Sequence, residues 1–258
     1  MKRVLIMSDL HCGHRVGLTP PDYWYPSGVR GKWRKVQMAC WNWYSKAIKD
    51  EGPFDVVVMN GDAIDGRGER SGGAELITTD RFEQVAMAVE CIRLAQSKKT
   101  RTVLTRGTPY HVGQLEDFED TIAREVGAVK IGHHEWIEVE GVTFDVKHKV
   151  GSSTVPYSRS TAIKKENVWN AFWAERDESP RGDVFIRSHV HYFDYSGDAD
   201  RLCMITPALQ AMGTKFGAGQ CVGTVDFGFI VFEVEDGAHD WHPCLARLKA
   251  TQPKKVTL

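Results

Sequence analysis

The feature that most constrains this chain is a recurring unit, a short apolar run followed within a few residues by a turn carrying Asp, His or both. The runs are Lys2–Met7, Phe54–Met59, Thr102–Thr105, Val142–Val146 and Asp183–Arg187. They are rich in Val, Ile and Phe and too short for core helices, so they read as buried strands. After them come Asp9-Leu10-His11, Gly61-Asp62-Ala63-Ile64-Asp65, Gly107-Thr108-Pro109-Tyr110-His111, His148 and Ser188-His189-Val190-His191. In an open α/β sheet the carboxyl ends of the strands line one crevice, so these side chains are expected to converge.

Helical patterns separate the runs. Between Trp33 and Lys49, the residues Val36, Cys40, Trp43, Tyr44, Ala47 and Ile48 recur on one face. Asp80, with Glu83 three residues on, marks the start of a second helix running to about Ala95. Further helices are expected over Leu115–Val126 and Ser160–Ala174, late strands over Leu202–Ile205 and Thr224–Val234, and a hairpin turning at Glu140-Gly141. The alternation predicts an α/β fold, a four-layer α/β/β/α sandwich of two mixed sheets flanked by helices. One domain is expected over 1–245, with an aromatic and basic loop insertion at 14–32 and a tail at 246–258.

Composition narrows the function classes. At 258 residues a core needs no disulfide or metal to hold it, so a metal site here would serve chemistry. Thirty-three basic against thirty-four acidic residues leave a net charge of -1, so no overall field attracts nucleic acid or an anionic membrane. The six cysteines, Cys221 among them, form no CxxC pair and read as reduced thiols. No apolar run reaches a membrane span, and MKRVLIMSDL turns acidic too soon for a signal peptide. A cytoplasmic location without a membrane partner is expected, with the oligomeric state open.

Carboxylates and neutral imidazoles in this number suit a pair of divalent cations, manganese first, with zinc, iron or nickel also compatible. Two such ions clamp the attacking and leaving oxygens of an in-line phosphoryl displacement and lower the pKa of a bound water, so that a bridging hydroxide becomes the nucleophile.

In order and spacing, the five segments resemble the calcineurin-like metallophosphoesterases, whose motifs run D-x-H, GDxxD, GN[HD], a lone His and GHxH. The resemblance spans Val4 to His191, and it places the late strands in the second sheet of that family's sandwich. It implies that Asp9, His11 and His191 hold one metal, that His148 and His189 hold the other, that Asp62 bridges them, and that Asp65 supports the set from behind. The departure lies at the third motif, where Gly107 is followed by Thr108 and Pro109 instead of Asn. Thr108 or His111 is left to replace the missing ligand, and His111 is the candidate for serving the leaving group, so His111 and Asp65 complete the catalytic set.

His14, Arg67 and Arg106 lie near the motifs and are candidates for holding a substrate phosphate through charge-assisted bonds. Trp33, Trp41 and Trp43 are expected to pack the helix they begin. Tyr23, Trp24 and Tyr25 either join them or cover the crevice as a stacking platform. His133 and His134 are expected in a solvated turn, and His239 and His242 at the surface. The expected substrate is a phosphate ester, by preference a phosphodiester of nucleotide or nucleic-acid type. A phosphomonoesterase or protein phosphatase, and a catalytically weakened interaction module, are the alternatives.

Overall fold

The computed structural model describes residues 1–25, 31–113, 118–153, 155–198, 200–212, 224–248 and 257. Cys221, most of the expected tail, part of the 14–32 loop and the start of the expected 115–126 helix lie outside them. The elements, in chain order, are β1 Lys2–Met7, α1 Arg34–Glu51, β2 Val56–Asn60, α2 Arg81–Ala95, β3 Arg101–Thr105 and α3 Pro109–Val112. Then follow α4 Phe118–Glu125, β4 Lys130–Gly132, β5 His134–Val139, β6 Val142–Lys147 and α5 Thr161–Glu175. The last are β7 Val184–Arg187, β8 Asp194–Gly197, β9 Leu202–Ile205, β10 Phe227–Glu235 and β11 Ala238–Ala246.

Two mixed sheets form. The six-stranded sheet has the order β11-β10-β1-β2-β3-β4, and the five-stranded sheet β5-β6-β7-β9-β8. Strands β1 to β4 run parallel to one another, as do β6, β7 and β9, whereas the β1–β10, β10–β11, β5–β6 and β8–β9 pairings are antiparallel. Alternation along β1 shows how the layers are glued: Val4 and Ile6 face the second sheet, while Leu5 and Met7 face the helices. The inter-sheet core joins Val56, Val58, Ile230 and Phe232 to Phe144, Val146, Val184, Ile186 and Met204. Each fully buried side chain of this size stabilises the fold by about 1.5–3 kcal/mol. On the outer face of the first sheet lie α1, α2 and α4, and Ile163 of α5 packs on Phe185, Cys203 and Ile205 of the second. The result is the four-layer α/β/β/α sandwich.

Local signals account for the boundaries. Asp80 caps α2, its Oδ1 accepting from the Phe82 and Glu83 amides at 2.9 and 3.4 Å. Glu140 and Gly141, with φ of 45° and 84°, make the tight turn between β5 and β6. One expectation is corrected. Strand β10 pairs antiparallel with β1 in the first sheet, not in the second. The reason is its two-sided apolarity: Phe227, Phe229 and Val231 serve the helix-side core, whereas Ile230, Phe232 and Val234 serve the inter-sheet core, which requires an interior position. No helix among the described residues is long and apolar enough to cross a membrane.

Candidate metal centre

The carboxyl ends of β1, β2 and β3 from one sheet and of β6 and β7 from the other meet at one rim. Backbone bonds hold the turns together there: the Asp9 amide donates to the Gly61 carbonyl at 3.0 Å, His11 to Asp62 at 3.1 Å, and Ser188 to His148 at 2.8 Å. Beneath them a buried polar chain crosses between the sheets. Asn60 Nδ2 donates to Ser188 Oγ at 2.6 Å, Ser188 Oγ meets Thr206 Oγ1 at 2.6 Å, and Thr206 meets Ser8 Oγ at 2.8 Å. A fully partnered chain of this kind fixes one arrangement of the strand ends, because slippage would strand polar atoms in the core.

Backbone conformation is the most telling property of the rim. Among the described residues eight non-glycine positions have positive φ, and five of them are the candidate ligands Asp9 (52°), His11 (44°), Asp62 (53°), His189 (77°) and His191 (60°). L-residues pay about 1–2 kcal/mol for the left-handed region. Such strain persists only where the surroundings over-determine it, and it clusters at functional sites. Gly61, at φ 75°, packs so closely on His148 that a Cβ there would lie 2.5 Å from the ring nitrogen Nδ1.

Six side chains form two groups, Asp9–His11–His191 and Asp62–His148–His189, with the ligand atoms of each within 4.8 Å of one another. In the first, Asp9 Oδ1 lies 3.2 Å from His191 Nε2 and 3.8 Å from His11 Nε2. In the second, Asp62 Oδ2 lies 3.0 Å from His148 Nε2 and 3.7 Å from His189 Nδ1. The groups touch, since Asp9 Oδ2 accepts the His189 amide at 3.3 Å. Two of the histidines are aimed from behind. Asp65 Oδ1, which can only accept when ionised, takes the Nδ1 proton of His11 at 2.8 Å. The Asn60 carbonyl takes that of His148 at 2.7 Å. Both rings thus present Nε2 to the crevice, the arrangement by which outer partners orient metal-bound imidazoles.

The charges in this cluster perturb one another. Burial lowers the pKa of His11, but the bond to Asp65 and the facing carboxylate of Asp9 outweigh it and raise the ring to about 10. His148 reaches about 9 against the same burial, through the charge and hydrogen bond of Asp62. Burial would raise Asp9 and Asp62, yet the histidines facing them hold both well below the ordinary carboxylate range. Asp65 falls to about 2, opposed by burial and favoured by His14 and His11. Protons thus stand between buried carboxylates and imidazoles at sites a cation can take.

The donor set fits divalent cations. Asp9 Oδ1 and His189 Nδ1 are buried polar atoms without a hydrogen-bond partner, which normally costs about 1–3 kcal/mol each. The His11 and His191 Nε2 atoms approach to 3.2 Å, so at most one proton fits between two atoms that are otherwise lone-pair donors. Nitrogen and carboxylate oxygen in this ratio suit manganese, iron, nickel or zinc.

Other expected residues fall elsewhere. Thr108 adopts the extended geometry a following proline imposes, φ −76° and ψ 134°. Its amide and Oγ1 donate to Asp62 Oδ1 at 2.7 and 2.9 Å, so it binds the carboxylate and engages the oxygen a bridging Asp62 would offer. His111 sits edge-on to His11 with ring centroids 4.5 Å apart, and its Nδ1 donates to the Asp65 carbonyl at 3.0 Å. His14 turns inward: Nδ1 accepts the Val16 amide at 3.2 Å and Nε2 lies 3.5 Å from Glu75. Arg106 pairs with Asp120 at 2.7 Å, and Arg67 is exposed on its loop.

Trp33 and Trp41 join the helix-side core, and Trp43 packs edge-on against Phe227. Tyr23, Trp24 and Tyr25 pack against the same core, with Tyr25 Oη 3.0 Å from Glu83 on α2, so they are bound to the helix layer. His134 belongs to β5, 2.7 Å from Asp145 and stacked on Trp136, instead of a solvated turn.

Motif reading passed over Glu119. Fully buried on α4, it accepts the Ala63 amide at 3.0 Å and the Gly107 amide at 2.6 Å, clasping the second and third turns. Burial pushes its carboxyl up to about 7. Its only trace in the sequence is an acidic residue in the first turn of a helix, where solvent exposure is the ordinary expectation.

No family model matches the chain, and no curated protein matches it. Solved structures do. Vps29 from Chaetomium thermophilum aligns at 11% identity over 95% of each chain, with a TM-score of 0.46. Vps29 from Entamoeba histolytica complexed with zinc aligns at 12% identity over 94% of this chain and 98% of that one, TM-score 0.44. An archaeal phosphodiesterase aligns at 12% identity over 94% and 99%, TM-score 0.44.

Proposed function

We propose that the chain is a metal-dependent phosphoric ester hydrolase that cleaves a phosphodiester at a dinuclear centre. The observation that carries this reading is the pair of touching three-ligand groups, built from the ends of strands in both sheets on left-handed backbone. Asp9, His11 and His191 would hold one cation, and Asp62, His148 and His189 the other. Such a pair supplies positive charge for the phosphoryl oxygens and acidifies water. Asp65 and the Asn60 carbonyl orient the imidazoles, while Glu119 and the interstrand hydroxyls keep the turns in register. His111 stands beside the first group and serves the leaving oxygen.

Substrate charge favours the diester. His14 and Arg106, candidates for holding a substrate phosphate, face Glu75 and Asp120. A doubly charged monoester therefore has less to meet than a singly charged diester. A nucleotide or nucleic-acid substrate has lost its main support, since the aromatic loop residues pack on the helix layer. One observation favours the weakened module: Thr108 engages Asp62 Oδ1, which lowers what that carboxylate offers a bridging role.

The test is turnover of bis-p-nitrophenyl phosphate against p-nitrophenyl phosphate, with manganese and with chelator. Manganese-dependent cleavage favouring the diester is expected, and His191→Ala should abolish it while unfolding stays cooperative. Turnover that survives exhaustive chelation defeats the proposal, and no turnover with both sites loaded favours the module.

A further inference from the structure

We propose that Glu51, His242 and Cys244 form a second, independent site for a single zinc-class divalent cation at the edge of the six-stranded sheet. His242 and Cys244 are two apart on β11, so their side chains emerge on the same face. That face carries α1, whose last residue is Glu51. One ligand atom from each of the three lies within 4.8 Å of the others, and His242 Nε2 is 3.1 Å from Glu51 Oε2. Zinc bonds of about 2.0–2.3 Å in tetrahedral geometry put ligand atoms roughly 3.3–3.8 Å apart, so small side-chain rotations suffice.

The chemistry differs from that of the strand-end rim. Thiolate, imidazole and one carboxylate are a set that selects zinc over magnesium or calcium. Three protein ligands leave the fourth position to solvent, and His242, with its side chain 47% exposed, gives access. Charge balances as well. A dication with one thiolate and one carboxylate is neutral, and beside it Arg3, 3.0 Å from Glu51 Oε2, faces Glu233 at 3.5 Å. Arg3 thus steadies the carboxylate through Oε2, the oxygen that also faces His242. Burial, with the charge of Glu51 adding to it, pushes the Cys244 thiol up to about 12. Binding must therefore expel that proton to solvent as the sulfur–metal bond forms. The site lies two strands from β1 and shares no residue with the proposed phosphoesterase centre.

Cobalt(II) titration of the full chain tests this, because a cobalt–thiolate bond gives near-ultraviolet charge-transfer absorption that nitrogen and oxygen ligands do not. The titration is run in a Cys221→Ser background to exclude that thiol. One equivalent of thiolate-bound cobalt, displaced by zinc, is expected. Cys244→Ser should remove the band, and His242→Ala, at an exposed position, should weaken binding at least about tenfold, the scale even an outer partner reaches, with circular dichroism unchanged. His191→Ala should leave the band intact, which separates this site from the other. Absence of the band in the parent chain, or its persistence in Cys244→Ser, would overturn the proposal, as would unchanged affinity in His242→Ala.

Discussion

Asp65 accepts the Nδ1 proton of His11 at 2.8 Å, across fifty-four residues of chain, and so turns the imidazole until Nε2 faces Asp9 and His191. The carboxylate sits behind the ring, on the side away from Asp9 and His191, and acts on the first group through His11.

Asp65→Asn should therefore weaken metal binding by about 10–100-fold while the protein remains folded. An amide can still accept through oxygen but contributes no charge to hold the ring. Isothermal titration with manganese reads the affinity, and circular dichroism checks the fold. Unaltered affinity would remove Asp65 from the positioning role.

Protonation gives a second prediction. In chelated protein, the raised pKa values of His11 (about 10) and His148 (about 9), against an ordinary 6.5, stabilise the fold fully below pH 6.5. That stabilisation is lost as pH rises through 9 and 10. Glu119, raised from 4.5 to about 7, acts in the same direction, its share disappearing as pH passes 7. Asp65, lowered from 3.8 to about 2, acts oppositely, its share being complete above 3.8 and lost toward 2. Chelated protein should be most stable near pH 4 to 5 and decline steadily toward pH 10. A cation replaces the histidine protons, so saturating manganese should flatten the decline and widen the gap in Tm between loaded and chelated protein from pH 6 to 9. A gap that narrows over that range would contradict the proton–metal exchange.

How far the sequence could be read depended on range. Strands such as Lys2–Met7 and Leu202–Ile205, and the cap at Asp80, announce themselves through local composition, and the structure has them at the same residues. The gathering of the Asp and His turns at one rim followed from strand order. Strand β10 was misplaced because its pattern states that both faces are buried but not which sheet buries them. Strand β11 escaped notice because Asp240, His242 and Pro243 look like loop residues, yet an edge strand tolerates them. Glu119 escaped because its partners are backbone amides far away in the chain, and Asn60 because it acts through its own carbonyl on a distant His148 ring; no local spacing encodes either. His14 faces the Val16 amide and Glu75, which could not be read from its nearness to a motif, because sequence distance says nothing of which way a loop turns.

Gly107 lies against Asp62, and a Cβ on it would run into Asp62 Oδ1 and the Asp62 amide. Gly107→Ala should destabilise the fold by about 1–3 kcal/mol, the usual cost of forcing atoms into filled space. Because the displaced group is the carboxylate facing His148 and His189, cation binding should fall more steeply than stability. Denaturant unfolding and metal titration on the same variant separate the two losses, and wild-type binding in Gly107→Ala would show that the turn relaxes freely.

His111 bears on the step after phosphorus is attacked. Its Nδ1 donates to the Asp65 carbonyl, which fixes the ring and leaves the opposite nitrogen to carry a transferable proton. Burial, then the nearby charge of His11, lowers its pKa below the ordinary 6.5. A donor of that kind is protonated only in acid. The kcat of the parent chain should therefore fall as pH rises through a midpoint below 6.5, until a water or the loaded centre takes over the leaving oxygen. His111→Ala should lower kcat by about 10²–10⁴-fold, the range for lost acid–base assistance, and erase that limb, with the number of bound ions unchanged. If the variant instead loses an ion, His111 fills the place of the missing Asn as a ligand, and Thr108 is left as the brace of Asp62 alone.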